Sequence, residues 1–196
     1  MSEPRSLGPR FQKALEFALE VHSAQVRKGT DTPYFAHLMA VCSIVLEYGG
    51  GENEAIAALL HDAVEDQGGK VMLESIHTTF GEAVARLVEG CTDAYGHPKP
   101  PWTQRKEAYI DHVRSAPDDV RLVSMADKLH NARSMLSDHR RVGDELWSRF
   151  SVGPEQTIWY YRSLTEAFTG TRHQALLAEL QGAVGELGLL IEEAGE

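Results

Sequence analysis

His61 and Asp62 stand side by side in the stretch AALLHDAVED, and Glu65 and Asp66 follow each of them by four residues. On a helix that spacing puts all four side chains on one face, opposite Ile56, Leu60, Ala63 and Val64. Taken alone, this is the pattern of an amphipathic helix with a solvated acidic face. A second segment, VRLVSMADKLHNARSM, sets Asp127 and Asn131 four apart in strongly apolar company. An ionised carboxylate in an apolar setting costs several kcal/mol unless it is paired or holds a cation. Asp127 therefore calls for a salt bridge, with Lys128, Arg133 or a more distant partner, or for a metal. His37 follows the TPYF turn and opens the helix AHLMAVCSIV, where on its own it reads as a helix-start histidine. Together His37, His61, Asp62 and Asp127 supply two imidazoles and two carboxylates, a set suited to one borderline divalent ion such as Mn²⁺, with Fe²⁺ or Zn²⁺ as competitors. Such a site leaves positions open for water.

The elements that must carry these residues read as helices almost throughout. Apolar positions recur at helical spacing: Phe11, Leu15, Ala18 and Leu19, then Val41, Ile44 and Val45, then Ile56, Leu59, Leu60, Ala63 and Val64. Val84, Leu87 and Val88 continue the pattern, as do Leu122, Met125, Ala126 and Leu129, and strand-like alternation is absent. KGTDTP, EYGGG, DQGG and AYGHPKPP punctuate the segments, and Thr103 and the pair Gly153 and Pro154 are helix starts. The expectation is an all-α, single-domain multi-helix bundle of roughly eight to ten helices over residues 1–196. From about Arg172, Leu176, Leu180, Val184, Leu187 and Ile191 share one face of a last helix, which closes its own core or packs across a dimer. Gly182, Gly185 and Gly188 lower helix propensity there, so fraying is an alternative.

At 196 residues the chain can bury a core without disulfides or a structural metal. Hydrophobic residues at 42% and charged residues at 24% set the balance of a water-facing globular domain. Nineteen Lys and Arg against 29 Asp and Glu give a formal charge of -10, a field that repels a nucleic-acid backbone. A small anionic substrate stays possible, because a local cation cluster or a bound metal reverses the field inside one pocket. Cys42 and Cys91 are too few for a disulfide framework and lie outside any CxxC spacing. The N-terminus MSEPRSLGPR has no apolar core for secretion, and no segment is expected to reach the length that spans a bilayer. The expected location is cytoplasmic, without membrane or nucleic-acid partners, as a monomer or homodimer.

Four segments in order carry a family resemblance: HSAQVRKGTDTPYFAH, LLHDAVED, FGEAVARLVEGCTD and LVSMADKLHNARSM. The sequence resembles the HD-domain phosphohydrolases, and within them the hydrolase domain of the RelA/SpoT alarmone enzymes, closest in size to the small alarmone hydrolases. The motifs run from about 22 to 135, with C-terminal helices from about 141 to 196, and the synthetase domain of the full-length enzymes has no room in this sequence. The resemblance implies an HD-type bundle in which His37, His61, Asp62 and Asp127 bind one Mn²⁺, Glu65 and Asp66 are the catalytic pair, and Asn131 contacts the nucleotide or the network near the metal. It also makes Arg27 and Lys28 the basic pair that grips the substrate, whereas without it they read as a solvated helix end. The implied reaction removes the 3′-diphosphate of guanosine tetra- or pentaphosphate and releases pyrophosphate. A divalent ion acidifies a water, and Glu65 with Asp66 orients or deprotonates it. Neighbouring carboxylates also tend to split in pKa, which suits acid and base work. Lys99, Arg105 and Lys106 are further candidates for holding phosphate, by their place near the expected cleft and without a firm motif. In EQTIWYYRSL, Tyr160 stands about where relatives carry a tyrosine that touches substrate phosphate; the competing reading of Trp159, Tyr160 and Tyr161 is core.

Two positions depart from the family pattern: Leu38 stands in place of the usual Pro, and Gln67 in place of the usual Thr. Neither removes a ligand. The loop AYGHPKPPW differs from better-known members in a region that helps to choose the base, so adenosine alarmones are an alternative substrate. A nucleotidase or dinucleotide phosphatase on the same scaffold is a second enzyme reading, and a nucleotide sensor or toxin-neutralising partner a non-enzyme one. Seven further histidines, among them His22, His77, His112 and His130, read as structural.

Overall fold

A computed structural model describes residues 6–95 and 98–194; Gly96 and His97 of the loop AYGHPKPPW and the two chain ends lie outside the described residues. The chain starts with α1 (Pro9–Val21), α2 (Phe35–Glu47), α3 (Glu52–Leu60) and the short α4 (Ala63–Gln67). Then come α5 (Gly69–Phe80), α6 (Glu82–Cys91), α7 (Trp102–Ser115) and the long α8 (Asp118–Val142). A 3-10 segment (Gly143–Arg149), α9 (Pro154–Ala167) and α10 (Gln174–Ala194) complete it. Among the described residues there is no strand, only an isolated antiparallel bridge between Val26 and Pro33. The all-α bundle read from periodicity is the observed architecture.

After its polar first turn, residues 52–54, helix α3 is apolar all round, with Ala55 through Leu60 wholly inaccessible, and a stretch of that kind can only lie inside a bundle. It packs against α1, α2, α6 and α8. Its alanines let these neighbours approach, while burying Ile56, Leu59 and Leu60 contributes about 1.5–3 kcal/mol each. The second centre is α8, about 37 Å long at the standard rise. It meets α2, α3 and α6, and it also packs along α10 and the 3-10 segment. Gly90 near the end of α6 permits that crossing: a Cβ there would stand 2.7 Å from Cγ1 of Val120.

Three expectations change. The stretch AALLHDAVED is not one helix, because α3 stops at Leu60 and α4 begins at Ala63. His61 supplies the reason: its Nδ1 takes the carbonyl of Ala58 at 2.8 Å, competing with the backbone bonds that would continue the helix. Leu19, read with the inward stripe of α1, is about half exposed. Finally, α10 is long and apolar enough over Gln174–Glu192 to cross a membrane by length and composition, contrary to the expectation that no segment is. Its apolar side is occupied at home: Leu176, Leu177, Leu180, Val184 and Leu187 are buried against α8 and α9. Arg133 pairs with Glu179, and Arg140 with Glu186 at 2.6 Å, tying α8 to α10 across the exposed edge. The helix runs unbroken through Gly182, Gly185 and Gly188, the last lying under the guanidinium of Arg162.

Candidate metal centre

His37, in the first turn of α2, and Asp127, in the middle of α8, converge on the break between α3 and α4 where His61 and Asp62 sit. Nε2 of His61 lies 2.9 Å from Oδ2 of Asp62 and 3.5 Å from Oδ1 of Asp127. Nε2 of His37 lies 3.2 Å from the same Oδ1 and 3.5 Å from the same Oδ2. Two nitrogens and two oxygens thus alternate round a four-cornered ring. Both Nε2 atoms are buried and have no hydrogen-bond partner. Ligand atoms at about 2.0–2.2 Å from a common ion stand about 3 to 3.5 Å from one another, which these edges match. His37, His61 and Asp127 form a buried triad able to chelate a divalent cation.

The electrostatics demand a positive charge at the same place. Burial alone would raise the Asp62 carboxyl, yet the charge on the His61 ring, with the His37 imidazole close by, holds it well below the ordinary range. Asp127 behaves alike, its burial outweighed by Lys128 and the two histidines. Burial disfavours a charged His61, and the two carboxylates overcome that and drive its pKa well up. Two ionised carboxylates in one dry cluster will hold a proton or a metal, and binding a metal releases the proton.

Neighbouring groups aim the ring atoms, as they do round metal sites in general. The Tyr34 hydroxyl donates to Oδ2 of Asp62 at 2.6 Å. Asn131 donates to Oδ1 of Asp127 at 2.5 Å, and Lys128 to its Oδ2 at 2.7 Å. Of the two salt-bridge partners considered from the sequence, Lys128 is therefore the one used, and it coexists with the ring. The His130 and His37 rings meet at their Nδ1 atoms, 2.7 Å apart.

Beside the ring, α4 presents the acid pair. Lys99 donates to Oε1 of Glu65 at 2.6 Å and stands 4.0 Å from Oδ1 of Asp66. Gln25 donates to Oδ2 of Asp66 at 2.9 Å, and its own carbonyl oxygen accepts from Gln67 at 2.7 Å and meets His22 Nδ1 at 2.6 Å. Glu65 is pushed up by burial and then by the Asp93 charge, Asp66 by burial and then by Asp62. Both members of the pair rise, and the split expected between neighbours occurs instead between Glu65 and Asp93. Burial pushes Asp93 up, but Lys106 and Arg105 pull it to about 2.

Next to the ring, sharing Tyr34, Lys128 and Asn131 with the groups that bond to it, a cavity of about 310 Å³ opens, walled also by Arg27, Lys28, Lys106 and Arg149, five cations in all. Among the described residues Asp138 is the one carboxylate lining it, and it faces Arg149 at 3.2 Å. The chain as a whole carries -10, so this reversal of sign is local. Arg27 donates to the side-chain oxygen of Asn131 at 2.8 Å, which links the cationic wall to Asp127. Tyr160 lines the cavity with a buried hydroxyl that has no partner, under the ammonium of Lys106. Gly29 (φ +74°) closes the rim: any side chain there would collide with Arg149. Arg105 lies elsewhere, holding both oxygens of Asp93 at 2.7–2.8 Å and the carbonyl of Pro100. A roomier cleft of about 540 Å³, near Tyr95, His112 and Val120, is lined by none of Tyr34, Lys128 and Asn131, the groups that bond to the ring and wall the smaller cavity.

Of the residues singled out in the sequence, His37, His61, Asp62 and Asp127 meet in the ring. Glu65 and Asp66 flank it, and Arg27, Lys28, Asn131 and Tyr160 line the cavity. Arg105 is the exception: it does not line the cavity and its guanidinium holds Asp93, with which Lys106 also pairs, at 2.5 Å, from within the cavity wall. Sequence reasoning missed Tyr34, Gln25, Asp93 and Arg149. The first two lie inside the quoted HSAQVRKGTDTPYFAH, and a donor so close to a ligand or an acid was the available signal.

A family model described as HD domain matches residues 14–150. The guanosine-3′,5′-bis(diphosphate) 3′-pyrophosphohydrolase MESH1 of Xenopus tropicalis is 36% identical over 163 residues, 82% of this chain and 83% of the relative. The MESH1 of Homo sapiens is 33% identical over 165 residues, 83% of this chain and 86% of the relative. An Aquifex aeolicus guanosine-3′,5′-bis(diphosphate) 3′-pyrophosphohydrolase is 38% identical over 127 residues, which are 64% of this chain and only 18% of that longer enzyme. Among solved structures, a metazoan ortholog of SpoT described as hydrolysing ppGpp superposes with a TM-score of 0.76 at 26% identity, over 96% of this chain and 99% of the other.

Proposed function

The chain belongs to the HD-domain family, and from that premise we propose that it is a metal-dependent hydrolase removing the 3′-diphosphate of guanosine tetra- or pentaphosphate as pyrophosphate. The observation that carries this reading is the junction of the His-and-Asp ring with a five-cation cavity through Asn131 and Arg27. The ion is proposed to be Mn²⁺, with Fe²⁺ and Zn²⁺ as competitors, held by His37, His61, Asp62 and Asp127. When bound it supplies Lewis acidity toward a phosphoryl oxygen and toward water.

The protein's own groups do the rest. Glu65 and Asp66 orient the attacking water and take its proton, with Lys99 and Gln25 fixing their carboxylates. The water oxygen bonds to the phosphorus attached to the ribose 3′ oxygen, that P–O bond breaks, and the 3′ oxygen leaves and acquires a proton. Arg27 and Lys28 grip the diphosphate, Lys106, Lys128 and Arg149 add charge along the cavity wall, and Tyr160 offers its unpartnered hydroxyl. Asn131 bridges Asp127 and Arg27 and so couples the ring to the substrate grip. We place the protein in the cytoplasm, acting on a small nucleotide as a monomer or homodimer.

The test is direct: purified protein with Mn²⁺ is incubated with guanosine tetraphosphate, and pyrophosphate and orthophosphate are measured separately. Stoichiometric pyrophosphate, abolished by a chelator and restored by the ion, is expected. Adenosine 3′-diphosphates discriminate the base, and orthophosphate as the sole product would favour a nucleotidase or dinucleotide phosphatase. No turnover of any of these with metal bound would leave the sensor reading, which two retained and shielded acids at Glu65 and Asp66 argue against. Arg27→Ala is expected to raise KM about 10–100-fold with a smaller effect on kcat, since it removes a charge-assisted grip and leaves the ring intact. An unchanged KM would move the diphosphate elsewhere.

A further inference from the structure

Nδ1 of His37 and Nδ1 of His130 lie 2.7 Å apart, with ring centroids at 4.8 Å. Two ring nitrogens at that distance hold one proton between them: two would clash, and none would set lone pair against lone pair. Which ring owns the proton is decided at the far end of His37. Its Nε2 is wholly enclosed, receives no hydrogen bond, and faces Oδ1 of Asp127 at 3.2 Å and Oδ2 of Asp62 at 3.5 Å. To hold a cation there, Nε2 must offer its lone pair, so the ring proton sits on Nδ1 and points at His130. His61 has the same requirement and meets it differently, donating from Nδ1 to the backbone oxygen of Ala58 at 2.8 Å. Pro33 and Tyr34 immediately precede α2, and no carbonyl bond of this kind serves His37; a side chain one turn beyond Asp127 on α8 supplies the acceptor.

We infer that His130 is a positioning residue that accepts the Nδ1–H of His37 and thereby keeps the Nε2 lone pair turned into the metal ring. This rests on the reading that the ring binds a divalent cation. His130 touches neither the ring oxygens nor the substrate cavity, and it acts through His37 alone. A buried N–H left without this acceptor loses its reason to hold one ring orientation.

The full chain, with ¹⁵N-labelled histidine and loaded with diamagnetic Zn²⁺, is examined by NMR for scalar coupling across the Nδ1–H···Nδ1 bond. Coupling between the two rings, with the directly bonded proton on His37, is expected. Bound Zn²⁺ without that coupling, or with the proton on His130, overturns the inference without recourse to any variant. Mn²⁺ affinity is then measured by calorimetry. His130→Leu is expected to weaken it about 10–100-fold, and His130→Asn, whose side-chain oxygen reaches about the position of Nδ1, to recover most of the loss. Equal affinity of the Leu variant and the natural protein, or an Asn variant no better than Leu at equal thermal stability, counts against it. If the natural protein bound neither ion, the metal reading itself would fall, a result distinct from metal binding without the coupling.

Discussion

Asp127→Ala is expected to abolish stoichiometric Mn²⁺ binding and to lower turnover by about 10³-fold or more, the scale set by losing an ion that acidifies water by many pKa units. Oδ1 of Asp127 makes two of the four ring edges, to His37 at 3.2 Å and to His61 at 3.5 Å, and is also the ring atom that Asn131 holds, at 2.5 Å. The change also strips a mostly buried ammonium, Lys128, of its partner at 2.7 Å. Leaving one member of such a pair alone costs about 3–5 kcal/mol, offset in part by relief of repulsion between Asp127 and Asp62. Asp127→Asn separates the two effects. It keeps an acceptor for Lys128 and removes the charge, so it should melt near the natural protein and still fail to hold the ion. Calorimetric metal titration beside a thermal melt reads both quantities, and an Asn variant that binds Mn²⁺ and turns over normally would show the ligand set to be wrong.

Asp66→Asn should give the complementary result, a kcat lower by about 10²–10⁴-fold with Mn²⁺ affinity within about threefold of the natural protein. Asp66 stands outside the ring, and what it contributes is a proton acceptor. Burial first, and then the Asp62 charge, raise its pKa above the ordinary carboxylate value of 3.8, while Gln25 and Lys99 pull the other way. As a base it works only when ionised. Activity is therefore complete above the raised pKa and is lost as the pH falls through it, which sets the acid limb of kcat above 3.8. Gln25→Ala deletes a bond to the ionised form and should move that limb further upward. A kcat profile in which the limb stays in place in Gln25→Ala, or in which Asp66→Asn turns over at the natural rate, would remove Asp66 from the proton path.

The acid pair and the ring also mark how far the sequence could be read. Helical periodicity located α2, α3, α6 and α8 because burial of one stripe is a local property repeated every three or four residues. The same rule misjudged AALLHDAVED, where a side-chain bond from His61 to Ala58 interrupts the backbone ladder just where the ligands emerge. Arg105 shows a second limit. Its place near the cleft was legible, but its guanidinium goes to Asp93, a partner whose competing claim no spacing could reveal. His130 shows a third: its neighbour Asn131 carried a motif role, while the contact that gives His130 one reaches back to His37, 93 residues earlier.

What the sequence by itself determined is therefore the helical class, the apolar stripes, the negative overall charge and the residue types of a divalent-metal site, all of which depend on composition and on spacings within one helix. The tertiary structure alone decided which polar groups meet. The ring joins α2, the α3–α4 break and α8, and the edges between His37, His61 and Asp127 exist because those elements pack round a common apolar core. Periodicity specifies neighbours up to about one turn away. Beyond that distance, contact is set by how faces pack, and so the five-cation cavity in a chain of charge -10, the occupied Arg105 and the His130 acceptor became visible only in the folded molecule.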